Sequence, residues 1–327
     1  MITRFQAFPC RLNRFVTAAV CCLLSASILE ASTALTNIHI RDPFVLPVKQ
    51  EGNYYLVASG GRSVTVRQSK DLSVWEEPKT VFAVPEGFWG TGSIWAPEIH
   101  QYRGRFFLFA TFMNNKPLGE QWTNWPPRIH RGTQVLAADS PRGPFKPFAN
   151  HSHTPTNEIA LDGTLWIEND VPYMVYCHEW IQVRDGGIKL IRLADDLSAT
   201  VGEPQLLFKG GDAPWAPREQ DRYITDGPAL HRSKSGKLFM LWSGFSKTGY
   251  TTGLAISDSG KVAGPWRQQS NPFFSKDGGH PMIFRQFDGT LTVALHSPNK
   301  GPLERCVLIE VEDTGETLQR HKRQDRG

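Results

Sequence analysis

One unit of this chain comes back five times. A polar residue beside Pro or Gly opens a short strand, and a tight turn leads into a second strand. The openings are Asp42-Pro43-Phe44, Pro97-Glu98-Ile99, Asp162-Gly163-Thr164, Asp226-Gly227-Pro228 and His280-Pro281-Met282, roughly every sixty residues. The second strands follow Gly or Asn turns: Gly52-Asn53-Tyr54-Tyr55-Leu56, Gly104-Arg105-Phe106-Phe107-Leu108, Asp170-Val171-Pro172-Tyr173-Met174, Gly236-Lys237-Leu238-Phe239-Met240 and Asp288-Gly289-Thr290-Leu291-Thr292. Turn residues flanked by β-branched and aromatic residues are hairpin signals. Echoes of a third strand follow at Ser69-Lys70-Asp71-Leu72, Ala138-Asp139-Ser140-Pro141, Ala194-Asp195-Asp196-Leu197 and Ser257-Asp258-Ser259. No stretch of helical period competes with this pattern. A small antiparallel sheet cannot bury both faces alone, and radial packing of five such sheets buries them and protects their edges. The expected fold is all-β, a five-bladed β-propeller; a β-sandwich would leave the regular spacing unexplained.

The ends of the chain read differently. Arg4, Arg11 and Arg14 precede an uncharged run from Phe15 to Leu29, and Ser32-Thr33-Ala34 offers small residues for cleavage. That run suits a signal-peptide core and falls short of the ~20 residues that span a bilayer. The expected organisation is a leader over 1–34, the propeller over 35–315 and a disordered basic tail over 316–327, with the mature chain secreted or periplasmic and no membrane partner. The formal charge of +4 gathers at these ends, in the leader arginines and in Arg320, Lys322, Arg323 and Arg326. The body between them is neutral, so no basic face and no nucleic-acid partner are expected. Cys177 and Cys306, alone in the body, are expected as buried free thiols.

In a propeller the first strand of each blade lines the central channel. The five openers Asp42, Glu98, Asp162, Asp226 and His280 are therefore expected to ring one mouth of it. Asp before Pro or Gly is also a common turn residue, but four carboxylates at matched positions repel, and at least one should hold its proton near neutrality. One protonated and one ionised carboxylate are the pair that glycoside hydrolysis requires. Trp89, Trp95, Trp122, Trp125 and Trp180 are expected near the mouth, where an indole face stacks on a sugar, with about half in blade cores. The chain has no Gly-x-Ser-x-Gly elbow, phosphate-binding loop, dinucleotide fingerprint or Cys–His zinc spacing.

The segments IHIRDPFVLP (38–47), SIWAPEIHQYRGRFFLFAT (93–111), ALDGTLWIENDVPYMVY (160–176), ITDGPALHRSKSGKLFMLWS (224–243) and GGHPMIFRQFDGTLTVALHSPN (278–299) resemble, in order, glycoside hydrolase family 43. The resemblance implies an inverting glycosidase of arabinose- or xylose-containing glycans, with α-L-arabinofuranosidase as first choice and β-xylosidase or galactofuranosidase next. It implies Asp42 as general base and Asp162 as the carboxylate that orients the acid and tunes its pKa. The family's acid is a Glu opening the fourth blade, where this chain has Asp226. Glu179, at the end of a strand running back to the mouth, is the rival donor. Trp95, Glu98, His178, Trp180, His280 and His296 are the expected sugar-binding set. No cofactor is required; the resemblance allows a calcium ion on the axis, held by His280 or His296. The alternative reading is a carbohydrate-binding propeller with impaired catalysis, suggested by Asp at the Glu position.

Overall fold

The computed structural model describes residues 1–2, 32–218 and 220–321. Five four-stranded antiparallel sheets follow one another along the chain. The first is Phe44–Val48, Asn53–Ser59, Ser63–Ser69 and Lys79–Ala83; the second Ile94–Tyr102, Arg105–Pro117, Ile129–Ala138 and Lys146–Pro147. The third is Ala160–Glu168, Val171–His178, Gly187–Leu193 and Thr200–Lys209. The fourth is Asp226–Arg232, Leu238–Ser246, Gly249–Ser257 and Arg267–Gln268; the fifth Gly279–Arg285, Leu291–Ser297, Arg305–Asp313 and Leu318–Arg320. First strands of consecutive blades pack against each other all the way round, including the fifth on the first. That closed circle is the five-bladed β-propeller read from the repeat.

The turns explain the strand pairing. Arg103-Gly104 and Asn169-Asp170 both have two residues at positive φ, closing Tyr102↔Arg105 and Glu168↔Val171. That backbone matches strand twist and favours Gly, Asn and Asp. Apolar residues on both faces of the middle strands then form the cores between blades. Trp75, Tyr176 and Trp242 are fully buried. One cluster joins Ile40, Phe44 and Tyr54 of the first blade region to Met282, Phe284, Ala294 and Cys306 of the fifth, so hydrophobic packing closes the ring. The segment leading into Asp42 reinforces the closure: Ile40 N–H donates to the Glu304 carbonyl (3.3 Å), and the buried Glu304 carboxylate meets His39 at 3.0 Å.

The expected C-terminal boundary needs correction, and the expected leader overlaps a strand: its last three residues, Ser32–Ala34, pair with Val74–Glu76. Residues 3–31, which carry the apolar run, lie outside the described residues. At the other end Leu318–Arg320 is the last strand of the fifth blade, with Leu318 buried beside Val311. The propeller thus extends past residue 315, because Leu318 has an apolar seat that charge counting did not reveal. Cys177 and Cys306 are buried and free. No helix among the described residues is long and apolar enough to cross a membrane.

Candidate active site at the channel mouth

Each first strand enters its blade through the same irregularity. Residues Asp42, Ala96, Asp162, Gly227 and His280 all have positive φ, between 42° and 56°, and each precedes Pro43, Pro97, Gly163, Pro228 or Pro281. In blades two to five the pairing register jumps at this point, which makes the device a β-bulge that re-aims a side chain. Left-handed backbone costs a residue with a Cβ roughly 1–2 kcal/mol, and such strain gathers at functional sites. The matched ring is therefore Asp42, Ala96, Asp162, Gly227 and His280. Glu98 lies two residues further along its strand and Asp226 one residue earlier in its own.

Hydroxyl groups pin these bulges from the blade before. Asp162 N–H donates to Thr111 Oγ1 (2.8 Å), and His280 N–H to Ser243 Oγ (2.9 Å). Asp42 N–H donates to Nδ1 of His296 (3.2 Å). Thr111, Ser243 and His296 occupy one position, opposite Trp95, Asp226 and Gly279 in their own blades. The corresponding residue of blade three is Cys177, opposite Leu161, and a thiol accepts weakly. Gly227 N–H donates instead to Asp162 Oδ2 (3.1 Å). The carboxylate of blade three thereby fixes the backbone next to Asp226. Gly227 has no substitute here, since a Cβ would come within 2.8 Å of His280 Cγ.

Arg41, Trp95, Leu161 and Asp226, each one residue before a bulge, line a pocket of about 570 Å³ together with Asp42, Asp162, His280, Glu179, Trp180, Tyr250, Arg222, Phe245, Ile224 and Pro126. Burial works to raise the Asp42 pKa, but His280, the His296 contact and Arg41 overcome it and hold it below the ordinary carboxylate range. His280 Nδ1 lies 3.3 Å from Asp42 Oδ1 and 3.8 Å from Asp162 Oδ2. Burial lowers the His280 pKa against the pull of Asp42. Arg41, 3.7 Å away, supplies the fixed charge. Asp162 moves the other way: burial, Asp226 and Asp42 raise it well above the usual range against the Gly227 N–H. Burial also pushes Asp226 up to about 6, opposed by the Tyr250 hydroxyl, which donates to Oδ2 at 3.0 Å. Gly279 leaves the room that the Tyr250 ring fills.

Glu179 lines the same pocket, buried and in ion contact with Arg131, whose guanidinium stacks on Trp95 at 4.5 Å. Burial lifts its pKa to about 7 in spite of Arg131. Trp180 begins a single helical turn, Trp180–Val183, rather than continuing the strand. Three expected sugar-binding residues lie off the pocket wall. Glu98 is buried against His100 Nε2 (2.7 Å), His178 contacts Gln182 (2.8 Å), and His296 is fully buried as the anchor of Asp42. His296 is thus committed to the bulge, with Nε2 facing Asn299 at 3.4 Å. Among the described residues no group of three His, Cys, Asp or Glu side chains is arranged to hold a metal ion. Of the indoles, Trp95 and Trp180 reach the pocket. Trp125 packs on Trp180 and Trp122 on Trp125, while Trp89 donates to Gln134 within blade two.

Arg41, Arg222, Phe245 and Tyr250 were absent from the sequence-based set. Alignment on Pro43, Pro97, Gly163, Pro228 and Pro281 would have found Arg41, whose position is that of Trp95 and Asp226. Tyr250 lies on a third strand and carried no such mark.

The profile of Glycosyl hydrolases family 43 matches residues 34–325. An endo-arabinase from Bacteroides thetaiotaomicron VPI-5482 superposes with a TM-score of 0.77 and 38% identity, over 85% of this chain and 96% of that one. Alpha-L-arabinofuranosidase B of Pyricularia oryzae is 23% identical over 285 residues, 80% of this chain and 56% of the relative. The extracellular exo-alpha-(1->5)-L-arabinofuranosidase ArbA of Cellvibrio japonicus is 24% identical over 285 residues, 80% of this chain and 76% of the relative. The chain thus spans little more than half the length of the Pyricularia relative. Matched from its first strand to its last, and closed into the ring of blades described above, the chain belongs to Glycosyl hydrolases family 43.

Proposed function

We propose that the chain is an exported, inverting glycosidase that releases terminal α-L-arabinofuranose, with Asp42 as general base and Asp226 as general acid. The observation that carries this reading is the opposite displacement of two carboxylates in one pocket, Asp42 downward and Asp226 up to about 6. An ionised base and a protonated acid then coexist at mildly acidic pH, below about 6. Asp42 takes a proton from water as its oxygen bonds to the anomeric carbon. The bond from that carbon to the leaving oxygen breaks, and the proton of Asp226 goes to that oxygen. Asp162 positions the acid through Gly227 N–H, and Trp95 and Trp180 offer faces for the sugar. Asp226 is favoured over Glu179 because Arg131 occupies the Glu179 carboxylate. Asp is a methylene shorter than Glu, so the reacting oxygen sits deeper, toward the axis. No step calls for a cofactor. Export is supported by the leader-like N-terminus and the extracellular relative.

Aryl α-L-arabinofuranoside, β-D-xyloside, β-D-galactofuranoside and β-D-galactoside test the reading, each offered to the wild-type chain and to Asp42→Asn. Release from the arabinofuranoside is expected, about 10²–10⁴-fold slower in the variant. NMR of the first product should show the inverted anomer, and linear arabinan should yield monosaccharide from the start. Saturable sugar binding without turnover would replace this reading with that of a binding propeller, and early oligosaccharide release with an endo-acting one.

A further inference from the structure

The body of the chain is neutral overall, yet one side of the pocket mouth is not. The hairpin that crosses the mouth ends in the segment between Pro117 and Ile129, and three indoles and three guanidiniums interleave there. Arg128 lies over Trp122 at 4.6 Å, and Arg184 over Trp122 and Trp125 at 5.0 and 4.7 Å. Trp125 packs on Trp180 at 5.4 Å, and Arg222 lies over Trp180 at 5.0 Å. Trp180, Arg222 and Pro126 also line the pocket, so this row is continuous with it. Among the described residues none of Arg128, Arg184 and Arg222 has a carboxylate within 4.0 Å, in contrast to Arg41 and Arg131, which pair with Asp42 and Glu179. Arg184 and Arg222 are exposed, and the three indoles are half-buried.

We infer that this row is a binding subsite for a uronate-bearing stretch of glycan, contiguous with the sugar that enters the pocket. Half-buried indole faces suit the C–H face of a pyranose ring. A guanidinium with no acidic partner is a bidentate seat for a carboxylate. Stacking already holds each fork in place, so little side-chain freedom is lost when the carboxylate arrives. A neutral glycan would leave the exposed Arg184 and Arg222 without a counter-charge among the described residues. The inference rests on the proposed glycosidase reading only for which end of the glycan enters the pocket.

The test is calorimetric binding of tri-galacturonate and of its fully methyl-esterified form, which keeps the rings and removes the charge. The chain used is Asp42→Asn, with or without Arg184→Gln or Arg184→Glu. The acid form should bind about tenfold or more tighter than the ester, lose that advantage in Arg184→Glu, and weaken as salt rises. Arg184 does not line the pocket, so Arg184→Gln in the otherwise wild-type chain should hydrolyse an aryl arabinofuranoside unchanged, which also shows that it folds. Equal affinity for acid and ester, or an acid affinity untouched by Arg184→Glu, would overturn the subsite. Binding of the acid form by Asp42→Asn, with no arabinose released by the chain that keeps Asp42, would keep the subsite and sink the arabinofuranosidase reading.

Discussion

At the scale of single residues, the site works by giving like groups unlike surroundings. Asp42 has Arg41 and two imidazoles as its strongest neighbours, whereas for Asp226 burial outweighs the Tyr250 hydroxyl and the more distant Arg41 and His296. Because the Tyr250 hydroxyl favours the ionised form of Asp226, Tyr250→Phe should raise the Asp226 pKa. The alkaline limb of the kcat/KM profile should then move to higher pH, and an unmoved limb would detach Tyr250 from the acid. The same displacement has a cost in stability. A carboxyl whose folded pKa lies above its unfolded value destabilises the fold as pH rises through the unfolded value of ~4 up to the folded value near 6. Asp226→Asn should therefore stabilise the protein by roughly 1–2 kcal/mol above pH 6 and have little effect at pH 4; equal unfolding curves at both pH values would count against the raised pKa. Asp42 and Asp162 were legible in the sequence because Asp beside Pro or Gly marks the bulge directly. Glu98 misled, because Pro97 is the residue after the bulge in blade two, so the ring position falls on Ala96. His178 and His296 misled because a polar residue at a strand end says nothing of which neighbour it will serve.

Among elements, the bulge is the unit that matters. Its backbone is strained, and in blades one, three, four and five its N–H is tethered by the preceding blade. Gly227→Ala combines positive φ with a Cβ pressed on His280, so it should cost about 1–3 kcal/mol. It should also lower kcat more than it raises KM, since Asp226 moves with it. A variant as stable and as active as wild type would show the bulge to be pliable and uncoupled from Asp226. The sequence marked strand positions well, because turns such as Asn169-Asp170 select their residues strongly. It marked loops badly. Half of the segment 113–134, rich in Trp, Asn and Pro, is strand: the ends of Arg105–Pro117 and Ile129–Ala138 form a hairpin whose connection brings Pro126 to the pocket. Asn114 and Asn115, of low strand propensity, lie within Arg105–Pro117, while Trp122 and Trp125 lie in the connection between the strands and are held by stacking. Glu179-Trp180 likewise leaves the strand because Arg131 and Trp125 capture those side chains.

For the whole molecule, fivefold closure converts a sequence repeat into a convergent site, and the closure lies beside the base. The same short segment that brings His39 and Ile40 onto Glu304 delivers Asp42 to the axis. Glu304→Ala removes a buried carboxylate that meets His39 and Arg41. It should lower the unfolding midpoint by a few degrees and weaken turnover by freeing Arg41, and an unchanged midpoint would place the closing strength in the apolar contacts alone. The number of blades was readable because every blade repeats its turn chemistry. The distribution of charge was not, since neutrality of the body as a whole conceals the arginines that folding gathers at one side of the mouth. The account as a whole depends on Asp226 being the proton donor. The most direct measurement compares kcat/KM of Asp226→Asn and Glu179→Gln on arabinofuranosides with a poor and with a very good leaving group. A good leaving group needs little protonation, so Asp226→Asn should lose activity severely on the first and recover most of it on the second, while Glu179→Gln loses similarly on both. Recovery in Glu179→Gln instead, or an equal loss of both substrates in Asp226→Asn, would contradict the assignment.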